Sequence, residues 1–130
     1  MVARVARYRR ERVIISFAKT VDELLSGQKV ATRRIWKERA VKTWQRAWDK
    51  DRRIHQAWDK TPRIKGAQQI GTITLTHRPY LERLGDMPEE DLIAEGGMCE
   101  TLPEFWELVG GDEDTVVTVV RFTFEALAGA

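Results

Sequence analysis

The sequence predicts an α+β domain built on a small, mixed or curved sheet, and three observations predict it. Four stretches are β-branched and apolar or alternate apolar with polar residues: Val13 to Phe17, Lys29 to Ile35, Ile70 to Thr76 and Thr115 to Phe124. Between them, apolar residues recur at helical spacing. Gly, Pro and capping residues punctuate the changes from one period to the other. The order is strand, short helix, strand, long helix, strand, two short helices, strand. A chain of 130 residues makes one domain with a real core and is too short for two.

Val13-Ile14-Ile15-Ser16-Phe17 is almost continuously apolar, as a strand buried on both faces would be. Thr20-Val21-Asp22-Glu23 then has the form of a capping box, and Val21, Leu24 and Leu25 put an apolar stripe on the helix that follows. Gly27 stands where a helix ends at no steric cost, and Lys29 to Ile35 follows as a second strand. From Trp36 to Trp58, apolar residues fall on one arc of a helix and basic residues mostly off it, predicting one basic amphipathic helix or two broken near Asp51. AWDK occurs twice there, at 47–50 and 57–60, too few copies for a repeat architecture. Pro62 closes the segment in a loop, and Ile70 to Thr76 alternates as a strand. Asp86-Met87-Pro88-Glu89-Glu90 predicts a helix start running to Glu95 and stopping at Gly96-Gly97. Thr101-Leu102-Pro103-Glu104 repeats that formula ahead of Phe105, Trp106, Leu108 and Val109. Thr115 to Phe124 is the last strand, with a frayed tail from Ala126.

Composition narrows the function. Apolar residues make up 42% and charged residues 32%, ordinary for a soluble globular protein, and no apolar run is long enough to span a bilayer. The basic start, MVARVARYRRER, lacks the apolar core of a signal peptide and leads directly into the first strand. A single cysteine, Cys99, excludes an internal disulfide and fits a reducing, cytoplasmic setting. His55 and His77 have no partner at metal-ligand spacing, so neither a metal nor another cofactor is expected. Residues 1–65 carry 19 Lys/Arg against 7 Asp/Glu, while residues 66–130 carry 3 against 13. That asymmetry favours a polyanion as partner unless the two halves neutralise each other on folding.

Chemistry concentrates in Gly27 to Arg34, which holds Lys29, Thr32, Arg33 and Arg34. A hydroxyl becomes a nucleophile when a base takes its proton, and a lysine serves when burial or neighbouring cations lower its pKa. On a regular strand, residues 29 and 32 point to opposite faces, so spacing alone reads as an exposed Lys29 and a β-forming Thr32. They converge only if the chain turns after Gly27. Glu95 sits at a predicted helix C-terminus, where a carboxylate is disfavoured without a cation, and Lys29 is the candidate partner. Arg33 and Arg34 suit phosphate, or else pair with the acidic half. Trp36, Trp44, Trp48 and Trp58 read first as core, though four are more than a small core needs, leaving one, such as Trp36, to stack a base. No glycine-rich phosphate loop, Ser-His-Asp arrangement or HExxH occurs.

Taken together, Ile14-Ile15-Ser16-Phe17, the short helix and Gly27-x-Lys29-x-x-Thr32-x-Arg34 resemble the signature of ASCH domains. Ile70-Gly71-x-Ile73, Met87-Pro88-Glu89-Glu90-Asp91, Ala94-Glu95-Gly96, Phe105-Trp106 and the closing VVRF follow in the same order, so the resemblance covers nearly the whole chain. It implies a small PUA-like, partly open β-barrel with helices at its ends, spanning residues 1–130, and a cleft lined by the GxKxxTxR segment. It also implies binding of RNA or a modified nucleoside or nucleotide. One branch hydrolyses the acetyl amide of N4-acetylcytidine with a Thr nucleophile, a Lys and a Glu, which match Lys29 and Thr32 by motif and Glu95 by the helix beside it. The Trp-rich segment at about 36–65 departs from the pattern as a helical insertion between the second and third strands. The leading expectation is an RNA- or nucleotide-binding cleft with Arg33, Arg34 and Trp36 as ligand contacts. The alternatives are an amidohydrolase and a protein-interaction module, as monomer or dimer.

Overall fold

The computed structural model describes residues 13–127. The basic N-terminal lead-in and the last three residues of the tail lie outside them. In chain order the elements are β1 (Ile14–Ser16), α1 (Val21–Leu25), β2 (Ala31–Arg34), α2 (Glu38–Asp49), β3 (Ile54–Trp58), β4 (Gln69–Leu75), β5 (Tyr80–Arg83), a 3-10 turn (Leu84–Asp86), α3 (Asp91–Ala94), α4 (Leu102–Val109) and β6 (Val116–Ala126). The class is α+β, as expected.

The sheet curls into a half-barrel with strand order β1-β3-β4-β6-β2, and β5 pairs with β6 off that path. β1 and β3 are parallel, and every other pair is antiparallel. The eleven-residue β6 is the spine. Its C-terminal half pairs with β4, from Leu75 opposite Phe122 to Gly71 opposite Ala126. Its N-terminal half lies between β5, with Tyr80 opposite Val119, and β2, with Thr32 opposite Val120.

Alternation along β6 divides the interior. Val120 and Phe122 face a core with Ile15, Phe17, Leu24, Trp44 and Ile73, whereas Val117 and Val119 face a second core with Leu84, Met87, Leu92 and Phe105. Val117 to Val120 are buried without a break because this part of β6 is covered on both faces. β1 and β2 end the sheet path without pairing to each other, and the Arg34 side chain crosses between them to the Ser16 carbonyl.

Several expectations change. The helix predicted from Trp36 to Trp58 stops at Asp49, because Asp51 takes a positive φ of 60° and turns the chain. Residues 54–58 then run between β1 and β4 with His55 and Ala57 inward, a period of two in place of 3.6. Five residues of the supposed helical insertion therefore supply an internal strand of the sheet. β1 is an edge strand, which leaves Ile14 exposed where burial on both faces was expected. Thr20 occupies the N-cap of α1 without a side-chain cap bond, so the capping box does not close there. Thr101 does cap α4, accepting from the Glu104 amide at 3.3 Å. The helix expected from Asp86 shrinks to the single turn of α3, since Pro88 pushes Met87 into extended backbone (ψ 129°). β5 was not anticipated.

Trp44 anchors α2 to the sheet. It is 3% exposed, stacks on Trp36 at 5.3 Å and leans against the His55 ring at 4.7 Å. Trp44→Ala is expected to lower unfolding free energy in urea by about 3–5 kcal/mol. Ile93→Ala, at a site 65% exposed, should stay within about 0.5 kcal/mol of the parent.

Candidate functional site

After α1, Gly27 takes a φ of 84° and redirects the chain toward β2. The lead-in is pinned on two sides: the Lys29 amide donates to the Glu23 carbonyl of α1, and the Val30 amide to the Ala94 carbonyl of α3. Lys29 and Arg33 consequently reach the same partner, Glu95, while Thr32 and Arg34 project together on the other face of β2.

The Lys29 ammonium donates to the Glu95 main-chain carbonyl at 2.6 Å and lies 3.4 Å from Glu95 Oε1. Glu95 Oε2 accepts from Arg33 Nη1 at 3.0 Å. Arg33 also donates Nε to Glu82 at 2.8 Å and Nη2 to Asp91 at 2.5 Å. Asp91 is shared with Arg121, whose Nε reaches the Tyr80 hydroxyl. Among the described residues this network holds three cations, Lys29, Arg33 and Arg121, and three carboxylates, Glu82, Asp91 and Glu95.

Arg34 stands outside that balance. Its Nε donates to Thr32 Oγ1 at 2.9 Å and its Nη2 to the Ser16 carbonyl at 2.7 Å, both uncharged acceptors, and its guanidinium lies over the Phe17 ring at 5.4 Å.

These groups wall a cavity of about 300 Å³ at the open edge between β1 and β2. Lys29, Thr32, Arg33, Arg34 and Glu95 all line it, and Phe17, Phe105, Leu108 and Met98 give it apolar sides. Lys19 is exposed at its rim.

Burial sets the proton affinities. It pushes the Lys29 amine below its ordinary value against the pull of Glu95, and the Arg34 charge adds to the depression. Burial also raises the Glu95 carboxyl, opposed by the charges of Lys29 and Arg33. Arg33 is held above its usual range, because its carboxylate partners outweigh the cost of burying it. Asp91 is held low: burial alone would raise it, but the hydrogen bonds from Arg121 and Arg33 prevail.

The four expected residues of the GxKxxTxR segment, Lys29, Thr32, Arg33 and Arg34, thus line one cavity with Glu95. Lys29 reaches the cavity from the lead-in before β2 begins at Ala31, and its ammonium bonds to Glu95, while the Thr32 hydroxyl bonds to Arg34. Trp36 does not line this cavity and belongs to a neighbouring groove with Trp44. Arg33 is committed to carboxylates of the acidic half. Sequence reasoning missed Glu82, Asp91, Arg121 and Lys19. Arg121, the one basic residue in the closing apolar strand, was a usable sign of a buried ion pair. Among the described residues no group of three His, Cys, Asp or Glu is placed to hold a metal, and no helix is long and apolar enough to cross a membrane.

No protein-family model matches the chain, and neither does any curated protein or any solved structure.

Removing the central guanidinium takes from Glu82 its cation and leaves Asp91 with Arg121 alone and Glu95 with Lys29 alone. Arg33→Met is expected to cost about 3–5 kcal/mol in urea unfolding. Because the folded Asp91 pKa is depressed, its contribution is present above the unfolded carboxyl value of about 3.9 and is lost as pH falls through the lower folded value. Asp91→Asn should accordingly flatten the acid limb of the stability profile, measured by denaturation between neutral pH and the acid range.

Proposed function

We propose that the cavity between β1 and β2 binds one base-sized unit of RNA or a nucleotide, in a PUA-like domain of the ASCH type. The observation that carries this reading is Arg34. The Lys29–Arg33–Arg121 network is neutralised by its own carboxylates, so the buried positive charge facing the cavity is the Arg34 guanidinium. Apolar sides formed by Phe17, Phe105 and Leu108 suit the faces of a base, and the Thr32 and Arg34 end suits its carbonyl or phosphate oxygens. A space of about 300 Å³ is at the small end for ligand sites, so it admits an unstacked base and not a duplex. Lys19 at the rim adds a second positive charge toward an incoming phosphate. Arg33 serves this reading by positioning Glu95 and β2, and not by touching ligand.

A second reading, amide hydrolysis, is favoured by one specific contact. Thr32 Oγ1 accepts from a guanidinium, which stabilises the developing alkoxide and leaves the hydroxyl proton free to depart. Lys29, in its amine form, takes that proton as Oγ1 bonds to the acyl carbon, and returns it to the leaving amine when the C–N bond breaks. Water then hydrolyses the acyl-threonine. Glu95 holds Lys29 in place through its carbonyl and carboxylate.

Binding of ribonucleotides should weaken linearly in log–log form with salt. Arg34→Ala should weaken it about 10- to 100-fold, the value of hydrogen bonds to a charged group. No measurable binding of any ribonucleotide at low salt would defeat the binding reading. For hydrolysis, acetate release from N4-acetylcytidine should rise with pH to a midpoint below the ordinary lysine value of about 10.4, because only the free amine accepts the proton. Wild type turning over no faster than Thr32→Ala defeats the enzyme.

A further inference from the structure

A second concavity adjoins the first. It encloses about 540 Å³ between the end of β2 and the first turns of α2, and its lining includes Ile35, Trp36, Trp44, Lys37 and Arg39. Ile35 lines both spaces and is 51% exposed, so it stands as a ridge between them. The Trp36 indole is half-buried and nearly parallel to Trp44, with 5.3 Å between ring centroids and 21° between planes. Trp44 is fixed in the core, so Trp36 is braced from behind.

The groove carries charge of one sign. Lys37 and Arg39 line it, and among the described residues no carboxylate does. Both are exposed, and among the described residues neither makes an ion pair, whereas Lys42 one turn further on is paired with Glu38 at 3.0 Å. A braced aromatic with two exposed cations suits a base and its phosphate, the pairing that single-strand sites use.

We infer that the occupant of this groove is the nucleotide next to the one held in the cavity, so that Ile35 is a wedge between two consecutive bases of a single strand. This rests on the cavity reading above and deepens it: the ligand is a strand of at least two units and not a free nucleotide. One base enters between Phe17 and Phe105. The strand passes over Ile35, which keeps the bases unstacked. The second base lies on Trp36, and Lys37 and Arg39 take the phosphates.

The test uses the full chain and cytidylate probes of one, two and six units, with affinity measured by calorimetry at several salt concentrations. The dinucleotide should bind at least about tenfold tighter than the mononucleotide, within the range a stacked base contributes. Trp36→Ala should erase that advantage and leave the mononucleotide affinity unchanged. Because Trp36 touches the core, a second variant avoids the packing: Lys37→Gln with Arg39→Gln should lower the hexamer's salt slope by about 1.4, two phosphates at about 0.7 each for single strands, with mononucleotide binding intact.

Equal affinity for one and two units, within about twofold, overturns the wedge while leaving the cavity reading standing. Failure of all three probes to bind overturns both. Hexamer binding that Arg34→Ala leaves untouched, without mononucleotide binding, overturns the cavity and the continuous path together. A glutamate decapeptide that displaces the hexamer and loses affinity to the same two variants assigns the groove to an acidic protein, and overturns the proposal.

Discussion

The Arg33 guanidinium is the constraint on which the rest of the structure depends. Taking a guanidinium out of water is costly, and it is tolerated here because Glu82, Asp91 and Glu95 each meet a different nitrogen. Those carboxylates come from β5, the start of α3 and the residue just after α3. Asp91 extends the network to Arg121 of β6. One side chain of β2 therefore binds together two elements, β5 and both ends of α3, that the chain reaches only 49 or more residues later. A buried ion network of this kind is weak evidence for stability in itself, since well-packed apolar groups often do as well. Its distinctive effect is on register. Arg33 lies opposite Val119, and a slip of β2 by one residue would turn the guanidinium to the other face, away from its carboxylates. The same slip would take Thr32 and Arg34 out of the cavity. The cage thus fixes the frame in which the candidate site exists.

The cage also explains the uneven charge along the chain. Lys29 and Arg33 belong to the basic half, and Glu82, Asp91 and Glu95 to the acidic half, so folding neutralises part of the asymmetry internally. Asp49 and Arg78 cancel in the opposite sense, with acid from the first half and base from the second. Near the candidate site, Arg34 in the cavity wall, Lys19 at its rim, and Lys37 and Arg39 beside the next groove carry positive charge without a carboxylate partner among the described residues.

Much of the fold was legible because burial on one or two faces leaves a period in the sequence. The β1, β4 and β6 strands and the α1 and α4 helices all showed it. The failure at Trp36 to Trp58 has a physical cause. Ile54 and Trp58 of a five-residue strand happen to fall on the helical arc defined by Trp44 and Ala47, and nothing local marks Asp51 as a residue of positive φ. β5 was hidden for a related reason: Tyr80-Leu81-Glu82-Arg83 is short, and its most apolar member, Leu81, faces solvent. At the site, spacing alone left Lys29 exposed and apart from Thr32, and only the resemblance grouped Lys29, Thr32, Arg34 and Glu95; in the fold Lys29 is buried and all four line one cavity. Local sequence could not assign Arg33, whose partners are set by the topology of β5 and α3 around β2. Nor could it place Trp36, which precedes its helix and so does not follow the helical wheel.

The hydrogen bonds of Arg34 across the unpaired edges of β1 and β2 have a kinetic side. An arginine on a surface samples many rotamers, and a ligand that captures it must stop that motion. Here the Thr32 hydroxyl and the Ser16 carbonyl hold two arms of the fork, and the Phe17 ring supports its plane. The side-chain entropy is lost on folding, before any ligand arrives. A receptor of that kind selects by shape: a molecule whose acceptor misses the fork gains little from its charge. Its capture rate is governed by diffusion and the shedding of water, without a search by the side chain for its partner.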